Sequence, residues 1–424
     1  MSSFGLRGGT KLPGMLGAFG VNGEAALRKL EPQVRAYAEL HEVEATFGSG
    51  MKRNNGGELG VTFHPAASDI RFTVQQGYIV MTAETFQAGP GYHAFIAGLV
   101  DYLSQRHQWV WDFDNSAKRF FDDTGYYRSR DFPTLQTAMA GEFGRMCQTV
   151  LAAESPDGIP RHVALRLPFT LASDHFAATS LGFRDRAFFE QPNPERFFPW
   201  WEEGLTAQTL KNLALCKMWN DIFWQPHDRD PDRKDAKTGQ RLIDLAREHG
   251  AQFDPDEGVD DIAALLRGEP SDMDGGGGRI GYWRQDMWHE APGGWVVPLP
   301  AFYHRELSEG GRLCELTYGG RMVHIRTLSH REDRPLEWAG PPQEGWTERL
   351  RFETGQYRAV VYTPPQDDDD GDTSQLWAAI FNTRNGSALI NVVFRDKQDT
   401  VWAEKVLRSV RPGLADSVAI EPLS

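Results

Sequence analysis

Apolar and polar positions alternate with two different periods along this chain, and the change of period divides it. Over 25–40 the spacing predicts a helix, with Pro32 as a kink or a late start. The glycine-rich stretch 48–60 reads as a loop. Residues 61–87 are rich in Val, Ile, Thr and Phe and alternate in part, which predicts two strands turning near Gln76-Gly77. Tyr92, Phe95, Ile96, Leu99, Val100 and Leu103 then share one face of a helix that follows Gly89-Pro90-Gly91. A short strand is expected over 108–113. Asp131 is placed to cap a helix with Pro133 in its first turn, running to about Glu154. A strand is expected over 161–167.

The middle of the chain is more helical, with helices expected over 206–219 and 239–249, the second stopped by Gly250. Val259, Ile262, Ala263 and Leu266 mark a third, shorter one. Four consecutive glycines at 275–278 predict a joint. Strands dominate beyond it. Segments 313–318 and 322–328 flank Gly319-Gly320, 350–353 and 357–363 flank Gly355, and 376–381 and 388–394 flank Asn385-Gly386. A last helix, capped by Asp399 or Thr400, carries Ala403, Val406, Leu407 and Val410 on one face. Hairpins followed by one amphipathic helix predict an antiparallel sheet with a helix laid on one side. The expected class is α+β. A mobile arm is expected at 1–22, an α/β body with a helical middle over 23–270, a glycine-rich linker at 271–281, and an antiparallel sheet plus C-terminal helix over 282–424.

Composition narrows the classes open to such a chain. Its 424 residues suffice for two or three domains and for a core that needs no disulfide or metal. The charge balance, 45 − 59 = −14, opposes binding to nucleic acid or to an anionic membrane. Cys147, Cys216 and Cys314 are far apart, which argues against a disulfide framework or a cysteine zinc site and suits a reducing compartment. The first 20 residues hold no apolar run of leader length. No segment approaches about 18 consecutive apolar residues. A cytoplasmic location without a membrane span is the expectation.

Searches for chemistry return little. There is no phosphate-binding G-x-x-x-x-G-K-[ST] loop and no G-x-S-x-G elbow, and His41-Glu42 and His289-Glu290 both lack the second histidine of a zinc-protease helix. Asp112, Asp114 and Ser116 open like a calcium loop, but Ala117 and Asp123 stand where the turn glycine and the bidentate glutamate belong. The alternating Asp228, Asp230 and Asp232 read as a solvated loop, and 367–370 with Asp372 as a soluble acidic one. Among histidines, His324 and His330 share a strand face, Asp174-His175 is an acid–imidazole neighbour pair, His93 opens the first strong helix as a candidate base or ligand, and His249 ends a helix. Two histidines do not make a metal site, so no metal and no cofactor is expected.

Aromatic residues are in excess, at 12% with 13 tryptophans. The densest group is Phe197, Phe198, Trp200 and Trp201 around Pro199, next to Pro192 and Pro194. Prolines at that density favour a turn-rich loop, and indoles suit interfaces, which marks these four aromatics as a candidate partner-binding surface. The same strip would equally serve to wrap the domain's own core.

The strand "GSALINVVF" at Gly386–Phe394, the helix after it and its ending Leu407-Arg408-Ser409-Val410-Arg411 resemble the PsbP-like fold, including bacterial accessory chaperones of type VI secretion. The resemblance is confined to the last third, carries no catalytic motif and transfers no functional residue. It implies a bacterial setting and binding to another protein. The expected role is therefore non-enzymatic: an accessory chaperone, an immunity-type protein or an adaptor. Two alternatives stand beside it, a hydrolase whose site is assembled from scattered His and Asp/Glu residues, and a carbohydrate- or ligand-binding protein using exposed Trp.

Overall fold

The computed structural model describes residues 5–11, 23–48, 58–153, 161–163, 165–224, 230–269, 279–330, 333–365, 374–396 and 399–412, and its class is α+β. The chain falls into two units. One comprises Met1–Arg166 with Asp174–Ser271, and the other Leu167–Ser173 with Asp272–Ser424.

The first unit begins with β1 (Gly5–Lys11), α1 (Gly23–Leu40), β2 (Thr46–Phe47), β3 (Glu58–Thr62), β4 (Ile70–Gln75), β5 (Tyr78–Glu84), α2 (Pro90–His107), β6 (Trp111–Asp112), β7 (Phe121–Asp122), α3 (Tyr126–Ser129) and α4 (Phe132–Ala152). Its main sheet is antiparallel, in the order β2-β3-β4-β5-β1-β6, with β7 also paired to β1. The apolar stripe of α2 lies in the same core as Leu30 and Val34 of α1 and Phe72 of β4. Asp131 caps α4 by accepting the backbone N–H of Thr134, as its position in the sequence implies. Pro32 sits inside α1 without ending it.

A small sheet follows, made of β8 (Arg161–His162), β9 (Ala177–Thr179) and β10 (Gly182–Arg184). Helices α5 (Arg186–Glu190), α6 (Pro194–Phe197), α7 (Ala207–Asn220), α8 (Asp230–Glu248) and α9 (Val259–Leu266) complete the unit. Lys217 of α7 lies between Asp221 at 2.8 Å and Asp235 of α8 at 2.6 Å, which ties the two helices together.

Three expectations change here. The arm expected at 1–22 gives way at Gly5–Lys11, because β1 pairs with β5 along its whole length and buries Leu6. Its glycines hid it from a pattern based on side chains. A Cβ at Gly8 would run into the ring of Phe113, and one at Gly9 into the ring of Phe120, so the two rings lie across bare backbone. The strand expected over 161–167 shrinks to Arg161–His162, and Leu167 belongs to the other unit. Asp230 and Asp232 lie in the first turn of α8 rather than in a loop. Asp228, the glycines at 275–278 and the acidic 367–370 with Asp372 lie outside the described residues.

The second unit contains β11 (Asp286–Ala291), β12 (Trp295–Pro300), β13 (His304–Ser308), β14 (Leu313–Tyr318), β15 (Arg321–Ser329), β16 (Thr347–Glu353), β17 (Arg358–Thr363), β18 (Gln375–Asn382), β19 (Gly386–Phe394), α10 (Thr400–Ser409) and β20 (Arg411–Pro412). One antiparallel sheet runs β13-β14-β15-β19-β18-β17-β16, and a smaller one β11-β12-β20. Burial alternates strictly along β19: Ala388, Ile390, Val392 and Phe394 point to the core, opposite Ile325 on one side and Phe381 on the other. Ala403, Val406 and Leu407 of α10 are buried against this unit. Asp399 stands at the helix start, where its carboxylate accepts from Arg321 of β15 at 2.5 Å instead of capping the backbone.

Because β15 and β16 stand apart in the sheet, the chain between them crosses the opposite face. Residues 336–339 lie over β17 and β18, held by Arg358 donating to the carbonyl of Leu336 (2.7 Å), Asn382 to that of Glu337 (3.1 Å) and Tyr362 to that of Ala339 (2.6 Å). Among the described residues no helix is long and apolar enough to cross a membrane.

The buried rings over β1 fix one expected outcome. Gly8→Ala overpacks the sheet against Phe113 and should cost about 1–3 kcal/mol in chemical denaturation. An unchanged midpoint would mean that β1 does not pass beneath that ring.

Candidate functional site

Histidine, carboxylate and hydroxyl side chains converge at the start of α2, and glycine decides how. Pro90 is the first residue of the helix, where a missing N–H costs nothing. Gly89, at φ 111°, and Gly91 leave the backbone bare on the side where the segment 198–202 passes. A Cβ at Gly89 would meet Phe198 and the carbonyl of Trp200, and one at Gly91 would meet the Trp200 ring and the carbonyl of Glu202. The two stretches bond as well as touch. Gly91 N donates to Trp200 O at 3.0 Å, and Trp200 N to Ala88 O at 2.9 Å.

This close approach sets His93 in the first turn of α2, wholly buried. Its Nδ1 lies 2.8 Å from Thr85 Oγ1, and its Nε2 lies 3.1 Å from Thr124 Oγ1 and 3.5 Å from Asp122 Oδ1. Asp122 also accepts from the backbone N–H of Thr124 (3.0 Å), its hydroxyl (2.7 Å) and the backbone N–H of Tyr127 (2.7 Å). Burial works to raise the Asp122 pKa, but the bonds from His93, Thr124 and Tyr127 outweigh it and hold the carboxyl down to about 2. Burial raises that of the neighbouring Asp123, which accepts the N–H of Gly5 at 3.0 Å.

An acid, an imidazole and a hydroxyl in contact are the parts of an activated nucleophile. Here neither His93 nor Thr85 exposes any surface. Both ring nitrogens are engaged, and the partners come from the end of β5 and from β7 and the turn after it. The cluster binds chain segments to one another. His64 is a second buried imidazole, with Nδ1 accepting the N–H of Ala66 at 2.9 Å and its ring 5.6 Å from Tyr92 and 6.3 Å from Trp200. Burial pushes its pKa down to about 3, so it is neutral at pH 7.

The aromatic surface expected at Phe197, Phe198, Trp200 and Trp201 is interior instead. Phe197, Phe198 and Trp200 are at most 1% exposed, and Trp201 is half-buried with its ring stacked on Phe198. The prolines build a wrap, not an open loop. Pro194 opens α6 behind its cap Asn193, and the chain then turns its rings inward. Phe197 stacks on Phe143 at 4.3 Å, and Trp200 meets Tyr92 and Phe95 at 6.0 and 5.3 Å. The indole N–H finds the carbonyl of Gly204 at 2.8 Å.

Other candidates are scattered. His324 lies 3.4 Å from Glu315 on the second unit's sheet, while β15 ends before His330, whose backbone N–H bonds Asn385. His175 stacks on Phe183, and His249 lies 3.5 Å from Glu42. Asp114 pairs with Arg128, away from any loop ligand set. All three cysteines are buried, which pushes the Cys147 thiol up to about 12 and raises Cys216 and Cys314 as well. Among the described residues no three His, Cys, Asp or Glu side chains are grouped to hold a metal. Sequence reading singled out His93 but missed Thr85, Asp122, Thr124 and His64. Their partners lie 8 to 31 residues away, with no spacing rule to join them.

No protein-family model matches the chain, and no curated protein matches it.

His64 gives the unit a definite pH response. Its pKa is lowered on folding from 6.5 to about 3, so its contribution to stability is complete above about pH 6.5 and falls steadily as the pH drops towards 3. The slope from this one group is at most about 1.4 kcal/mol per pH unit. His64→Asn keeps an acceptor for Ala66 and removes the proton site. Denaturant titrations between pH 6.5 and 4 should show a shallower loss in the variant, and identical slopes would refute the assignment.

Proposed function

We propose that this is a non-enzymatic protein-interaction protein, an accessory or adaptor type acting in the bacterial cytoplasm, and that it binds through the part of its C-terminal sheet's outer face formed by β15 and β19. The carrying observation is the composition of that face. On β15 and β19 the side chains opposite the core include Met322, Leu389 and Val393, half-buried, and Leu328, 66% exposed. Antiparallel sheets with one solvated face normally alternate to polar residues there. Apolar neighbours collected on such a face are a common mark of an interface.

The rim suggests the partner's charge. Glu306 and Glu315 stand directly opposite each other on β13 and β14, on the same face, an unfavourable like-charge pair in isolation. Together with the net charge of −14 this favours a partner with an apolar patch and a basic border. The resemblance of Gly386–Phe394 and the following helix to protein-binding PsbP-like domains leans the same way. The rival readings find less support. Among the described residues the acid–imidazole–hydroxyl cluster at His93 has its imidazole fully buried, and each of the 13 tryptophans, all of them described, is buried or half-buried.

The test is affinity capture from the native host with the wild-type chain and with a Leu328→Glu/Leu389→Glu variant, followed by titration of whatever basic protein is found. The expected result is one protein held by the wild type and weakened at least tenfold by the variant, at an unchanged melting temperature. Capture that is equal for both, or no capture by either, would overturn the reading.

A further inference from the structure

The second unit is not built from one continuous stretch of chain. Its Leu167–Ser173 interrupts the first unit in sequence, between Arg166 and Asp174, yet pairs with β11. Leu171 bridges Met287 in antiparallel fashion, Ala172 N donates to Asp286 O at 2.7 Å, and Trp288 N donates to Thr170 O at 3.0 Å. The other side of β11 is taken by β12. Without the segment, β11 would present unpaired backbone groups at Asp286 and Trp288, the usual liability of an edge strand.

Side chains add selectivity to those bonds. The chain bends at Pro168 and Phe169 just before the bridge at Leu171. Leu171 is completely buried, and the ring of Phe169 meets Trp283 edge-on at 5.0 Å. Backbone bonds for affinity and alternate side chains for specificity are how sheet edges recognise peptides.

We propose that β11 is a strand-accepting edge, selective for a short segment with an aromatic residue two places before a buried aliphatic one, and that the chain fills it with its own Leu167–Ser173. On this reading the second unit is a non-covalent complex as well as a covalent continuation, and the connection through 272–278 is not what keeps it assembled.

The experiment replaces 272–278 in the full-length protein with a specific protease site, cleaves it completely and follows the two fragments by native size exclusion. The expected result is a single species containing both, separated only by denaturant. Ala172→Pro removes the N–H that bonds Asp286, and Leu171→Ala empties the buried position more gently. In the cut protein each should speed fragment separation at least tenfold, while the uncut variants keep the wild-type circular dichroism. Should the proline variant fail to fold, the alanine variant decides. Immediate separation of the cut wild type would overturn the proposal, and so would separation rates that neither variant changes.

Discussion

The first unit depends on one steric condition: the backbone at Gly89 and Gly91 has to be bare. Phe198 and Trp200 occupy the space that side chains would take there, and reciprocal backbone bonds hold the two stretches in contact. From that seam the aromatic segment reaches two clusters at once. Phe197 and Phe198 enter the one around Phe143, while Trp200 enters the one around Tyr92 and Phe95. A buried Trp contributes through its large area and keeps its N–H satisfied, as Trp200 does through Gly204. The Gly-Pro-Gly-Tyr-His sequence is thus explained by packing and by a helix start.

The same seam accounts for the chemistry the unit does not offer. Fixing the first turn of α2 sinks His93 beneath the surface, where Thr85, Thr124 and Asp122 take up its nitrogens. Buried polar groups persist when they are bonded, and this network is bonded throughout. It joins the end of β5, β7, α2 and, through Asp123 and Gly5, the start of β1. Its parts are those of a catalytic site, but its surroundings are those of a structural one. That distinction rests on exposure, which residue identity alone does not carry.

Much of the architecture was legible because it is written in side-chain periodicity. The stripe on α2, the Asp131 cap, the turn at Gln76-Gly77, the Gly319-Gly320 hairpin and the α10 face all appear where the pattern places them. The failures share a cause, since in each the informative partner is distant in sequence. β1 carries glycines because rings from 113 and 120 cover it, and Leu167 reads as the end of a local strand over 161–167 because the partner of Leu167–Ser173 is the distant β11. The aromatic strip at 197–201 reads as surface from its prolines. Those prolines do turn the chain, but the turn aims the rings inward. The acid–imidazole cluster was invisible for the same reason, with only His93 marked by its place at a helix start.

The most direct measurement of the central condition is a double-mutant cycle on Gly91→Ala and Trp200→Ala, read by denaturant unfolding. Removing the buried indole alone should cost about 3–5 kcal/mol. Gly91→Ala alone should also destabilise markedly, since its methyl group has nowhere to go but into the indole and the carbonyl of Glu202. In the Trp200→Ala background the indole clash is gone, so the account predicts that the glycine substitution becomes substantially cheaper, with a coupling of about 0.5–3 kcal/mol. A Gly91→Ala protein as stable as the wild type, or costs that simply add, would contradict it.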